Sequence, residues 1–233
     1  MRISCAVWAA LALLVASPAR AGEGPSLLKG GSSTPNFLGT TGLLLAPDAK
    51  TIGDKGISGH AYFGDNFNSY GGRIGPFDRL ELGAMLFDPE NASSDVIFNA
   101  KFKLLDEGLI WPGLAVGAVD IFDELDADTS WFLSATKGFP KFIPVIGDLK
   151  LTLGYGGGLY GDDVFAGGEL NLWTPLDVLP ITKPHFSAIA EYVNNDVNVG
   201  LRARFRGFSA TIALFDFDDF GGGFSYTTGL RLW

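Results

Sequence analysis

Cysteine is nearly absent from this chain: its 233 residues include one, Cys5, so no intrachain disulfide can form and a disulfide-stapled secreted domain is excluded. Long apolar runs are missing too. After the first twenty residues no stretch approaches the roughly 20 consecutive apolar residues that a spanning helix needs, although hydrophobic residues make up 47% of the chain. Basic charge is scarce, with 17 Lys and Arg against 26 Asp and Glu for a net −9. A protein this acidic is not expected to bind nucleic acid through a basic surface. What is plentiful is Phe, 19 residues, and Gly, 32. Spread through short alternating segments, they point to β-structure with two unlike faces.

Residues 1–21 read as a signal peptide: Arg2, an apolar run from Cys5 to Ala16, then Pro18 and the small-residue site Ala19-Arg20-Ala21. That run is too short to anchor a membrane. Removing the leader takes away Arg2 and Arg20 and moves the net charge from −9 to −11. Residues 22–54 form an N-terminal segment. Gly30-Gly31-Ser32-Ser33 suits a linker, and residues 36–49, NFLGTTGLLLAPDA, an ordered irregular stretch whose apolar side chains need cover. Either a barrel lumen, making the stretch a plug, or a turn packed under a barrel rim would supply it. Residues 55–233 are expected to form the barrel itself.

Strands are expected at 55–63, 68–75, 79–87, 95–104, 113–121, 129–137, 148–156, 164–173, 185–192, 197–206, 208–215 and 223–232. Twelve is an even number, as single-chain bacterial barrels require, and the lengths suit tilted membrane strands. The connections sort by parity. Every other one (64–67, 88–95, 120–128, 160–163, 193–197, 216–222) is acidic, and together they hold 15 of the 26 acids without one Lys or Arg. The others mix both signs. An up-and-down meander puts alternate connections at the same end, whereas a Greek key gives no reason for such sorting. The fold expected is therefore all-β: a single up-and-down antiparallel transmembrane β-barrel of about twelve strands.

Within strands, apolar residues keep one parity, as in Val96, Phe98, Ala100, Phe102, Leu104 and Val197, Val199, Leu201, Ala203, Phe205. Charge keeps the other. A Lys or Arg facing lipid at mid-depth costs about 2–4 kcal/mol, so the charged parity is assigned to the lumen. It carries Arg73, Arg79, Glu81, Lys101, Lys103, Lys150, Glu169, Glu191, Arg202, Arg204, Arg206 and Arg231. All nine of its bases fall in the half nearer the termini. They would set the ions a pore passes or form ion pairs that close a lumen or hold a plug. Replacing Arg202 and Arg204 by Gln is expected to shift selectivity toward cations with the fold intact.

The end of the chain, GGGFSYTTGLRLW, alternates and stops on an aromatic residue. Tyr226, Gly229, Leu230, Leu232 and Trp233 resemble the terminal signal by which outer-membrane barrels are recognised by the barrel-assembly machinery. Catalytic signatures are weak. Ser58 and His60 lie two apart on one strand face, a spacing seen in some outer-membrane lipid hydrolases, but both are expected to face inward, away from lipid. The acidic connections lack the fixed spacing of a calcium loop, and Gly156-Gly157-Gly158 is followed by no Lys-Ser or Lys-Thr pair. No catalytic residue, cofactor or metal ligand set is expected.

The segments GTTGLLLAPDAKT (39–51), DRLELGAML (78–86), AKFKLLDEG (100–108), LAVGAVDIFD (114–123), LSATKGF (133–139), LTLGYGGG (151–158), FAGGELNLWTP (165–175) and AIAEY (188–192) resemble, in kind and order, the YjbH-like outer-membrane β-barrel proteins associated with exopolysaccharide production. The resemblance implies a cell outer-membrane location, contact with membrane lipid and lipopolysaccharide, and a polysaccharide or small anionic solute as partner. The function expected is a small channel or export-associated barrel for anionic or sugar-like solutes. A structural or adhesive barrel with a closed lumen, acting through its acidic loops, is the alternative, and a lipid hydrolase a distant one.

Overall fold

A computed structural model describes residues 34–90, 93–125, 129–143, 147–172 and 184–229. The signal peptide and the linker lie outside the described residues. Twelve antiparallel strands follow one another: β1 (Gly56–Gly64), β2 (Phe67–Phe77), β3 (Leu80–Pro89), β4 (Asp95–Leu105), β5 (Gly113–Val119), β6 (Ser130–Ile143), β7 (Gly147–Gly156), β8 (Asp163–Leu172), β9 (His185–Val193), β10 (Asp196–Phe205), β11 (Phe208–Phe215) and β12 (Asp219–Gly229). Each pairs with its sequence neighbours. β1 closes the barrel on β12, in register from Gly56↔Gly229 to Gly64↔Gly221. Closure leaves no strand edge unpaired, the condition for a sheet to sit in lipid.

The period-2 patterns explain which residues face where. In β4, Ile97, Asn99 and Lys101 are buried, while Val96 and Phe98 are exposed. The outer surface carries Phe63, Ile74, Leu82, Leu153, Leu201, Phe208, Ile212 and Phe224, all exposed. An apolar belt of that extent has no place in water. The turns carry their own signals. Asn194-Asn195 (φ 51° and 70°) and Arg206-Gly207 (φ 48° and 87°) both take positive φ at two central residues, as a twisted two-residue hairpin requires.

Several expected boundaries move. β5 stops at Val119 because Asp120 turns the chain with φ 54° and accepts the N–H groups of Glu124 and Leu125 at 3.0 and 2.9 Å. Asp120 is buried, so it organises its loop rather than adding to a solvated acidic surface. β6 runs on to Ile143 past an irregularity between Phe139 and Ile143. Arg79 lies in the turn between β2 and β3, and Arg206 in that between β10 and β11. Neither lines the lumen, because hairpin turns take both out of strand alternation.

The core lies inside the barrel. It joins Phe37, Leu38, Leu43, Leu44 and Ala46 to Tyr62, Met85, Ile97, Val119, Phe132, Tyr160, Phe165, Ile189, Val193 and Ala213. These wall residues concentrate toward the end of the acidic connections. The inward face is therefore not polar throughout. It is apolar toward the acidic end and ionic toward the end where β1 starts and β12 finishes.

Candidate functional site

Residues 34–52 occupy the interior. Short antiparallel bridges, Pro35↔Thr41 and Gly42↔Pro47, fold them back on themselves. Asn36 holds the first turn: its Oδ1 accepts the N–H groups of Leu38 and Thr40 at 3.1 and 2.9 Å, and its Nδ2 donates to the Leu45 carbonyl at 2.7 Å. Gly39 takes φ 78°, and a Cβ there would meet Met85 Sδ at 2.9 Å. Phe37 then stacks on Tyr62 at 4.4 Å and meets Phe215 edge-on at 5.1 Å.

The wall satisfies this segment's backbone group by group, as burial demands of any main chain without its own ladder. Glu191 on β9 accepts the N–H groups of Leu44, Leu45 and Ala46 at 2.9, 2.7 and 3.1 Å, and the Asn198 amide at 3.1 Å. Glu81 on β3 accepts Thr41 N–H at 2.8 Å and Ile52 N–H at 2.7 Å, besides the Thr41 hydroxyl. Carbonyls find donors in turn. Arg202 on β10 reaches Gly42 O at 3.2 Å and Leu43 O at 2.5 Å, and Lys101 on β4 reaches Thr41 O at 2.6 Å. Asn99, Ser69 and Tyr62 donate to the carbonyls of Leu38, Phe37 and Pro35 at 2.8, 2.9 and 2.7 Å.

Nearer the termini lies the ionic layer. Arg73 meets Glu81 at 3.3 Å, and Lys101 meets Glu81 at 3.8 Å. Lys150 meets Glu169 at 2.8 Å, Arg204 reaches the same carboxylate at 2.5 Å, and Arg202 lies 3.9 Å from it. Asp48 of the inner segment completes the layer. Its Oδ2 is 3.0 Å from Lys150 Nζ and its Oδ1 3.8 Å from Lys101 Nζ. Burial pushes the Asp48 carboxyl up, but the charges of Lys150, Lys101 and Lys50 outweigh it and leave the group below its ordinary value.

Arg73, Glu81, Lys101, Lys150, Glu169, Glu191 and Arg202 thus come together on the inner wall, all buried, with Arg204 half-buried beside them. Lys103 does not join them. It sits near the rim, paired with Asp78 at 2.6 Å and Asp106 at 2.8 Å. Arg231, Leu230, Leu232 and Trp233 lie outside the described residues. Tyr226 faces outward against Phe208, ring centroids 4.6 Å apart, and Gly229 pairs with Gly56. Ser58 and His60 are both buried, but Ser58 Oγ accepts from Thr227 at 3.0 Å, and neither ring nitrogen of His60 has a hydrogen-bond partner. No Ser–His pair is formed. Sequence reasoning missed Asp48, although it is the only acid in residues 36–49, and a lone acid in an apolar stretch facing a basic wall was the available signal.

The YjbH family model, described as "Exopolysaccharide biosynthesis protein YbjH", matches residues 34–172. The chain belongs to the YjbH family. The YjbH match spans the inner segment and the wall residues Glu81, Lys101, Lys150 and Glu169, while Glu191 and Arg202 lie beyond it. Among solved structures, the KdgM porin is 10% identical, with 73% of this chain and 98% of that one covered at a TM-score of 0.47. The KdgM porin in complex with disordered oligogalacturonate is 9% identical, with 76% and 99% covered at 0.48. A triple mutant of the Rhodopseudomonas blastica porin is 14% identical, with 70% and 56% covered at 0.33. Comparison with curated proteins finds no match.

Proposed function

We propose that this YjbH-family barrel is an outer-membrane channel for an anionic or sugar-like solute of exopolysaccharide production, closed by its own residues 34–52. In this reading the apolar belt faces membrane lipid and lipopolysaccharide, the protein reaches the membrane through the barrel-assembly machinery, and its role is passage rather than chemistry. The observation that carries the proposal is the inner basic layer: Arg73, Lys101, Lys150, Arg202 and Arg204 face Glu81, Glu169 and Glu191. Glu191 is engaged with backbone N–H groups rather than with those bases. A lumen with surplus positive charge between low-dielectric walls concentrates anions.

The test is conductance in planar bilayers, for the full chain and for a variant lacking residues 34–52. The variant should conduct steadily and prefer anions, the full chain rarely. A second reading, a closed barrel acting through its acidic connections, draws on the filled interior. Absence of conductance from both forms would favour it and refute the channel. Conductance that favours cations would keep the channel and refute the assignment of the controlling charges.

Structure also changes what substitution of the wall bases should do. Arg202 holds two carbonyls of the inner segment, and Arg204 bonds Glu169. Replacing both by Gln would loosen the segment and strip Glu169 of a partner, so the effect on selectivity would come with an effect on closure.

A further inference from the structure

We infer that Lys101 and Lys150 form a binding site for the carboxylate of an acidic saccharide, and that in the closed barrel the chain's own Asp48 occupies it. The inference rests on the channel reading and gives it a ligand and a means of opening. Asp48 lies across the two ammonium groups, one oxygen toward each, with no exposure to solvent. Its Oδ1 also accepts the Lys50 N–H at 3.0 Å, a bond within its own turn that the wall does not need.

The wall's acids do not replace Asp48. Glu81 is shared between Arg73 and Lys101, and Glu169 between Lys150 and Arg204. When the segment leaves, the Lys101 and Lys150 ammonium groups lose the carboxylate they share, and breaking a buried pair by removing one partner is strongly unfavourable. An external carboxylate that binds the vacated pair removes that penalty. Because it binds only the segment-out state, it shifts the population toward opening.

Groups beside the pair suit the rest of a sugar. Thr136 and Thr152 hydroxyls lie 3.0 Å apart on β6 and β7, and Thr136 Oγ1 accepts the Ala49 N–H at 2.8 Å, a bond that departure of the segment frees. On β6 the Ser134 hydroxyl is buried with no hydrogen-bond partner. Two ammonium groups beside the unpartnered Ser134 hydroxyl and the acceptor that Thr136 regains recognise a uronate unit, and a neutral sugar of equal length lacks the anion that matters.

The experiment reads segment release directly. Cysteine is placed at buried Ala49 in the full chain, with Cys5 replaced by Ser so that the new thiol is unique. Its labelling rate by a small thiol reagent is followed in reconstituted barrels, with conductance recorded in parallel. Trigalacturonate should accelerate labelling about tenfold while maltotriose leaves it unchanged. Asp48→Asn should raise the basal rate by about the same factor, since the loss of one buried partner already favours release, and should keep a trigalacturonate response, since Lys101 and Lys150 remain to bind the ligand in the segment-out state. Should Asp48→Asn fail to assemble, the trigalacturonate and maltotriose comparison on the chain retaining Asp48 still decides. Conductance without any difference between the two sugars overturns the carboxylate site and leaves the channel reading standing. A trigalacturonate effect without conductance supports the site and removes the channel. Neither effect overturns both.

Discussion

Glu191→Gln isolates what holds the inner segment without changing the volume of the side chain. The carboxylate accepts three consecutive N–H groups, from Leu44, Leu45 and Ala46, and is buried. Glutamine keeps one acceptor oxygen and turns an NH₂ group toward donors, so at least one of the three bonds is lost and the rest lose the charge. Hydrogen bonds to charged groups contribute roughly 1.5–3 kcal/mol each, and water entering the gap returns part of that. A net loss of about 3 kcal/mol is expected, close to a hundredfold in the balance between seated and released segment. Thiol labelling at Ala49→Cys, in the background lacking Cys5, measures that balance under conditions where opening is fast relative to modification. A Glu191→Gln rate within twofold of the parent would refute the reasoning, because it would mean that these three bonds do not set the position of residues 43–46.

Phe37→Ala removes a fully buried ring packed on Tyr62, Phe67 and Phe215, and should cost about 3–5 kcal/mol, read as faster labelling in the same assay with circular dichroism of the barrel unchanged. Asp48 has a folded pKa below its unfolded one, so its stabilisation is complete above about pH 4 and is lost as pH falls through the folded value. Melting midpoints taken from about pH 6 to 2 should therefore fall more steeply for the parent than for Asp48→Asn, and parallel curves would show that Asp48 contributes no linked proton. Epitope tags at Asp218, in the turn between β11 and β12, should be reachable on intact cells, whereas tags at Asp78, in the turn between β2 and β3, should not; the reverse pattern would invert the barrel.

The barrel was legible because β-structure in lipid enforces a period of 2. In β10, Val197, Val199, Leu201, Ala203 and Phe205 hold one parity, while Asn198 and Arg202 are buried on the other. Charge parity found Glu81, Lys101, Lys150, Glu169, Glu191 and Arg202 on the inner wall. It failed at Arg79 and Arg206, where tight turns interrupt alternation; Lys103 keeps the inward parity, opposite buried Ala115, but lies near enough to the rim to find Asp78 and Asp106. The apolar half of the interior was illegible for a physical reason. Met85, Ile97, Phe132 and Phe165 break the polar-inside pattern, and only the presence of Phe37, Leu43 and Leu44 among them makes that break favourable. The reason lies in residues distant in sequence, and alternation along one strand cannot carry it.

In the proposed channel, those two halves of the interior divide the work of keeping the barrel closed. Residues 53–55 tie the inner segment to the start of β1, at the end where the ionic layer lies. Phe37 lies toward the opposite end, among apolar rings. An anion entering from the terminal end meets the ionic layer and can contribute only its differential affinity for the released state. The burial of Phe37, Leu43 and Leu44 is non-directional and indifferent to charge, so no anion relieves it. A ligand carboxylate therefore biases the segment nearest its tether, and the apolar layer sets how much bias is needed before the far end follows. With a penalty of that kind, a channel answers to an extended polyanion, which can fill several basic positions in turn, more readily than to a small anion that fills one.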